Sequence, residues 1–252
     1  MKLNYKQFGQ GEPIIILHGL FGTLDNWQTI AKKLAENYMV FIIDQRNHGK
    51  SPHSDAFSYK ILAEDLKAFM LEQHMYEATI IGHSMGGKVA MRFALDYPDM
   101  VTKLVVVDIA PKQYSGGHQV IFDAMFDLDL EKLTDRQSID EALKASIPED
   151  SIRLFLMKNL ARQKDGGYRW KMNLSVLYKE YQEILSAIEA EDAYDDEVLF
   201  IRGGRSRYIK DEDVLEIQEI FPLMRLETIP NAGHWLHAEA PKMFIKIVND
   251  FI

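Results

Sequence analysis

Three groups in this chain have the settings that acyl transfer needs. They are a serine between glycines, a late histidine and an aspartate ending an apolar run. Gly82-His83-Ser84-Met85-Gly86 fits the spacing G-x-S-x-G, with the apolar run Ala78–Ile81 before it and an amphipathic segment after it. In that strand–turn–helix setting the serine occupies a sharp, strained turn, and the flanking glycines let neighbouring backbone close around it. Its hydroxyl then projects above the carboxyl end of the sheet, and the positive end of the following helix favours an oxyanion. The plain alternative is a tight glycine turn with an incidental serine. The partners decide between the two.

A tetrahedral intermediate needs two convergent N–H donors. Met85, just after the serine, offers one. The loop His18-Gly19-Leu20-Phe21-Gly22, which follows the run Ile14–Leu17, offers the second through Leu20, with Phe21 as the neighbouring alternative. His18 reads as structural. The general base is expected at His234, on a loop after Met224–Ile229 that begins with the turn Asn231-Ala232-Gly233. His237 competes from three residues on, but falls where a last helix begins. His48, His53, His74 and His118 read as surface or structural residues. His83 points off the turn in another direction.

A base of this kind needs a carboxylate on its other ring nitrogen. Two places can supply it. One is the loop after Val198–Ile201, where Arg207 stands and the acids come later, at Asp211 and Asp213. The other is Asp108, at the tip of Leu104–Val107. Its ordinary role would be to bond loop amides. Asp211 and Asp213 look like the cap and first turn of a helix. Asp44, in Asp44-Gln45-Arg46-Asn47-His48-Gly49, reads as a structural acid with Arg46 as partner.

The elements that must hold these groups recur along the chain. Ile14–Leu17, Val40–Ile43, Ala78–Ile81, Leu104–Val107 and Val198–Ile201 are near-continuous apolar runs, as in parallel strands covered on both faces. Between them lie helical segments. One runs to about Glu36 with Asp25 or Asn26 as cap, one runs from a cap at Ser58 to about Gln73, and one starts near Met85. Alternating strand and helix predicts an α/β fold, a doubly wound and mostly parallel sheet. After Ala110-Pro111 the alternation stops until about Tyr194. That stretch has a helical pattern and no convincing buried strand. The expected division is a core from 1–110 and 195–252 with a helical cap inserted at 111–194. The alternative is a few ordinary surface helices.

Composition bounds the chemistry. With 252 residues, 47% of them hydrophobic, the chain can bury a sizeable core. The net charge of −9 gives no general basic footprint for nucleic acid. There is no cysteine, which excludes disulfides and thiolate chemistry. No signal-peptide core and no run long enough for a membrane span are apparent, so a cytoplasmic location and no membrane insertion are expected. Nothing fixes an oligomeric state.

Together, HGLFGTLDNW (His18–Trp27), DQRNHGKSPHS (Asp44–Ser54), GHSMGGKVAM (Gly82–Met91), VVDIAP (Val106–Pro111) and AGHW (Ala232–Trp235) resemble the α/β-hydrolase superfamily. The likeness spans nearly the whole chain. It is nearest a branch of small esterases and thioesterases found in bacteria, with a relative in animal mitochondria. RNHG followed by SPHS is its most specific part. The resemblance implies an α/β-hydrolase fold with the cap after the sixth strand, and it implies Asp108 as the acid beside Ser84 and His234. The family also commonly carries an aspartate in a GG-x-S-D-Y loop, where this chain has Arg207. A cation cannot stabilise an imidazolium, so the departure favours Asp108.

The expected activity is a serine carboxylester hydrolase using Ser84, His234 and Asp108, with an oxyanion hole from the Leu20 and Met85 N–H groups and no metal or cofactor. Phe21, Trp235, Leu156 and Met157 are the expected walls of a substrate pocket, and bulky aromatics beside the serine imply short acyl chains. The partner would be a small acyl ester, with a thioester equally compatible. Carbon–carbon bond hydrolases and perhydrolases share this chemistry, and a non-catalytic binding protein can use the same fold.

Overall fold

The computed structural model describes all 252 residues. Its strands are β1 (Asn4–Phe8), β2 (Pro13–Leu17), β3 (Met39–Asp44), β4 (Ala78–His83), β5 (Val101–Val107), β6 (Leu160–Arg162), β7 (Tyr168–Trp170), β8 (Val198–Gly203) and β9 (Met224–Ile229). Seven form one sheet in the order β1-β3-β2-β4-β5-β8-β9. Only β1 is antiparallel to its neighbour. The strands expected from apolar runs are all present.

Alternate residues explain the two cores. Ile14, Ile16, Val40, Ile42, Val105 and Val107 face one side of the sheet, while Ile15, Leu17, Phe41, Ile43, Leu104 and Val106 face the other. Both sets are buried, because successive strand side chains point to opposite faces and both faces are covered. Helices α1 (Gln28–Leu34), α2 (Tyr59–Glu72) and α3 (Met85–Asp96) provide the first covers. Ser58 caps α2 as expected, accepting the Ile61 N–H at 3.1 Å. The start of α1 differs from expectation. A short 3-10 turn, Leu24–Trp27, precedes α1, and Thr23 rather than Asp25 or Asn26 stands before that turn. Asn26 instead folds back to accept the Thr23 N–H at 2.8 Å.

The segment between β5 and β8 carries α4 (Gln119–Phe126), α5 (Arg136–Lys144), α6 (Asp150–Met157), α7 (Leu174–Lys179) and α8 (Tyr181–Leu185). It departs from the sequence reading in two ways. It follows the fifth strand of this chain, not the sixth, because only five precede it. It also contains a hairpin, β6 paired antiparallel with β7, whose three-residue strands are too short for an apolar period to register. The chain ends with α9 (Val214–Ile220), α10 (Leu236–Glu239) and α11 (Pro241–Asn249). No helix is long and apolar enough to cross a membrane.

Strand order decides where a site can form. β2 lies between β3 and β4, so the chain leaves β2 in one direction and continues the sheet in the other. The crevice outside the carboxyl ends at such a reversal is where open α/β sheets bind ligands. The loops after β2, β4, β5, β8 and β9 all rise at that end.

Candidate active site

Ser84 sits between β4 and α3 with φ 53° and ψ −121°, a left-handed conformation that is costly for a serine. The register of β2 and β4 places Leu17 opposite Gly82, so the loop after β2 runs against the turn. There the glycines are necessary. A Cβ on Gly82 would lie 2.2 Å from the Gly86 carbonyl oxygen, and one on Gly86 would lie 2.5 Å from those of Leu17 and His18. The strained turn is held by the ladder, since the Ser84 N–H donates to Val107 at 3.0 Å.

Asp108 continues β5 by one residue and also turns left-handed, with φ 52°. Its own N–H donates to Ile201 at 2.8 Å. The side chain has no exposed surface. Oδ2 accepts from His234 Nδ1 at 2.7 Å and from the Ser206 hydroxyl, and Oδ1 accepts the Gly203 N–H at 3.0 Å. A buried carboxylate is costly unless it is hydrogen-bonded, and three donors meet that need here. Because a carboxylate is the acceptor, His234 carries its proton on Nδ1. The lone pair is left on Nε2.

The loop holding His234 is fixed from below. His83 Nε2 donates to the His234 carbonyl at 2.9 Å, and the Arg205 N–H donates to Ala232 at 2.9 Å. Tyr208 stacks on the imidazole, with ring centroids 3.9 Å apart and planes 18° from parallel. His83, His118 and His237 line the same hollow. Burial holds all three below the usual imidazole range, His118 at about 4 and His237 at about 3. They are therefore neutral near pH 7 and place no cation beside His234.

His237 does not compete as a base. It is buried, stacks on Trp27 at 4.0 Å and has no carboxylate partner. His18 is structural, as expected. Its Nε2 accepts the Gln45 N–H at 3.1 Å, Nδ1 contacts the Gly19 carbonyl at 2.9 Å, and burial lowers it to about 4. Asp211 pairs with Arg202 at 2.7 Å, and Asp213 pairs with Lys112 and the Lys210 N–H. Both are engaged away from His234. The expected Asp44–Arg46 pair does not form. Asp44 accepts the Leu24 and Lys50 N–H groups at 2.8 and 2.9 Å, while Arg46 forks onto Asp65 at 2.6 and 3.0 Å.

Ser84 and His234 open into one hollow of about 260 Å³, walled by Leu20, Phe21, Leu156, Phe155 and Trp235 among others. The Leu20 N–H donates to no protein group. Met85 is the first residue of α3, so its N–H lacks an intrahelical acceptor. The Phe21 carbonyl is held by the Asn159 side chain of the cap. Of the expected pocket walls, Met157 is misplaced, since it lines neither hollow that reaches Ser84. Helical phase is the reason. Ile152, Phe155 and Leu156 share one face of α6 at i, i+3 and i+4, and Met157 lies about 100° further round, in the core. A larger groove of about 840 Å³ along Arg92 and Glu189–Asp196 contains no serine or histidine.

Sequence reasoning missed Ser206, Tyr208 and His118 as site residues. The first two lie in Arg205-Ser206-Arg207-Tyr208, where neither residue type marks a partner for Asp108 or His234. His118 was set aside as surface or structural, yet it lines the hollow from the cap and bonds the Tyr181 hydroxyl at 2.7 Å.

The sequence model described as alpha/beta hydrolase fold matches residues 12–241. The sn-1-specific diacylglycerol lipase ABHD11 of Danio rerio is 38% identical over all of this chain and 83% of its own length. Esterase YbfF of Escherichia coli is 35% identical over all of this chain and 99% of its own. Among solved structures, a marine microorganism esterase superposes with a TM-score of 0.98 at 45% identity, covering 100% of this chain and 99% of that one. The chain therefore belongs to the α/β-hydrolase fold family, in the bacterial esterase branch related to these lipases.

Proposed function

We propose that the protein is a serine carboxylester hydrolase for short-chain acyl esters, working through Ser84, His234 and Asp108. The observation that carries this reading is the 2.7 Å contact of His234 Nδ1 with buried Asp108, on a loop that shares one hollow with a strained Ser84.

Each step follows from that arrangement. The Ser84 hydroxyl proton passes to His234 Nε2 as Oγ bonds to the acyl carbon. The carbonyl oxygen becomes an oxyanion and takes hydrogen bonds from the Leu20 and Met85 N–H groups, with the end of α3 behind it. Asp108 holds the imidazolium that has formed. Collapse breaks the bond to the leaving alcohol, which takes the proton from Nε2. Water then gives its proton to Nε2, its oxygen adds to the acyl carbon, and Ser84 leaves with the returned proton. A thioester can follow the same steps.

The short-chain preference rests on the size of the apolar hollow and on the aromatic walls formed by Phe21, Phe155 and Trp235. A chain-length series of nitrophenyl esters tests it, with Ser84→Ala and fluorophosphonate labelling run alongside. We expect labelling at Ser84 and the highest kcat/KM on the short esters. A folded protein that takes no label would leave only a ligand-binding role. A preference for long chains would overturn the chain-length part alone.

A further inference from the structure

Ser84 faces a second hollow, of about 460 Å³, which differs in character from the first. Leu20, Ser84, His118 and Tyr208 border both. Beyond them the first hollow is walled by aromatic and aliphatic residues together with Asn26 and four histidines, and has no lysine, arginine or carboxylate. The second is lined by Lys88, Arg207, Tyr59, Tyr114 and Ser115 among others, and by no carboxylate.

The two cations are not equivalent. Lys88 is buried, and its Nζ is used on the carbonyls of Lys112, Leu185 and Ser186. Arg207 is free. Its neighbours in the loop are all neutralised: Arg202 by Asp211 at 2.7 Å, Arg205 by Glu239 at 3.1 Å and Lys210 by Glu212 at 2.9 Å. Arg207 alone has neither an ion pair nor a side-chain hydrogen bond. The chain has 38 acidic residues against 29 lysines and arginines, yet none meets this guanidinium. An unpartnered fork of N–H donors at the mouth of a carboxylate-free hollow suits a planar oxyanion.

Building on the hydrolase reading above, we propose that the second hollow receives a carboxylate carried by one half of the substrate ester, with Arg207 as the residue that selects for it. The other half, apolar, occupies the first hollow. The scissile carbonyl lies between them at Ser84. On this view the preferred substrate is an ester with one hydrophobic end and one anionic end.

The test uses twin substrates that differ only in charge. One pair carries it on the acyl side, para-nitrophenyl hydrogen succinate against its neutral methyl ester. The other carries it on the leaving side, para-acetoxybenzoate against para-acetoxybenzamide. The readout is the anionic-to-neutral ratio of kcat/KM for wild type, Arg207→Gln, Arg207→Lys and Arg207→Glu. In at least one pair the ratio should fall about two- to fivefold in Arg207→Gln, mainly through KM, as expected for one exposed charge contact. It should fall further in Arg207→Glu, be largely kept in Arg207→Lys, and shrink with added salt. Ratios unchanged across the variants in both pairs would overturn the proposal while leaving the hydrolase reading intact. If Ser84→Ala still hydrolysed the neutral twins, the hydrolase reading itself would fail.

Discussion

The loops at the carboxyl edge of the sheet and the cap that covers them are built on different principles. At the sheet edge, backbone and side chains are over-determined. Ser84, Asp108 and Phe21 are three of only five non-glycine residues with positive φ in the chain. The first two are held there by ladder hydrogen bonds. Strain of about 1–3 kcal/mol per residue persists only where the surroundings impose it. The cap has no such strain at its walls. It contributes Leu156, Phe155 and Ile152 by helical phase, and it is tied to the core by a shared apolar cluster and by long-range hydrogen bonds. These include Asn159 to the Phe21 carbonyl, Tyr59 to the Ile184 carbonyl and Lys88 to the end of α8. One region thus holds the candidate catalytic groups and the other walls the hollow beside them. Substitutions should separate the two accordingly.

The largest effects belong to the sheet edge. Ser84→Ala and His234→Ala should each lower kcat by roughly 10⁴ or more with the fold intact by circular dichroism. Asp108→Asn should cost about 10⁴ in kcat, because an amide in that position can turn the imidazole to the wrong tautomer. Asp211→Asn and His237→Phe are the controls. The first removes only an exposed ion pair with Arg202, and the second keeps a ring on Trp27. Both should stay within a few-fold of wild type. Reversal of the Asp108 and Asp211 results would move the acid to the later loop.

How much of this was readable in advance follows the same division. The parallel strands β2, β3, β4, β5 and β8 were legible because both faces of the sheet are buried there, which writes a continuous apolar run into each, whereas β9 at the edge alternates. β1 left no such run. It is an edge strand, Asn4-Tyr5-Lys6-Gln7-Phe8, that no reading of apolar runs picks out, with Tyr5 packed on Phe41 and Phe69 and Phe8 against the opposite core. The meeting of Ser84 and His234 in one hollow was legible because each lies in a loop after a strand, where spacing and chain order constrain geometry, whereas Asp108 was one of two candidate acids until the family resemblance favoured it. Ser206 and Tyr208 escaped because nothing local marks a serine as the donor to a carboxylate 98 positions earlier. Met157 was misassigned for a different reason. Neighbouring apolar residues on a helix read alike until the phase of the helix against the core is known. Arg46 finding Asp65 rather than Asp44 is a case of tertiary pairing that sequence proximity does not predict.

A smaller effect sharpens the cap side of the comparison. Leu156→Ala and Met157→Ala both remove buried apolar volume, and each should cost about 2–5 kcal/mol of unfolding free energy. Only Leu156 borders the hollow beside Ser84. Its truncation should therefore shift the acyl-chain optimum upward by several-fold in relative kcat/KM, while Met157→Ala leaves the optimum where it was. An equal shift in both would mean that the cap acts through its position and not through its walls.

The smallest expected effect concerns the tether itself. Burial lowers the Lys88 ammonium to about 7, from an ordinary value near 10.4. Between those values the unfolded chain holds a proton that the folded chain has lost. The unfolded state therefore binds more protons, and stability contributed by this site rises with pH from about 7 to about 10. Below pH 7 the folded state must bury a charge, offset in part by the carbonyls of Lys112, Leu185 and Ser186. Lys88→Met keeps the stem and removes the titration. The difference in melting temperature between wild type and Lys88→Met should thus move in favour of wild type as pH is raised from 6.5 to 9.5, by up to roughly the 6–12 °C that about 3 kcal/mol produces in a chain of this size. A difference that moves the opposite way would show that the ammonium–carbonyl bonds outweigh desolvation. The cap would then be held down by the charge of Lys88, and raising the pH would loosen it.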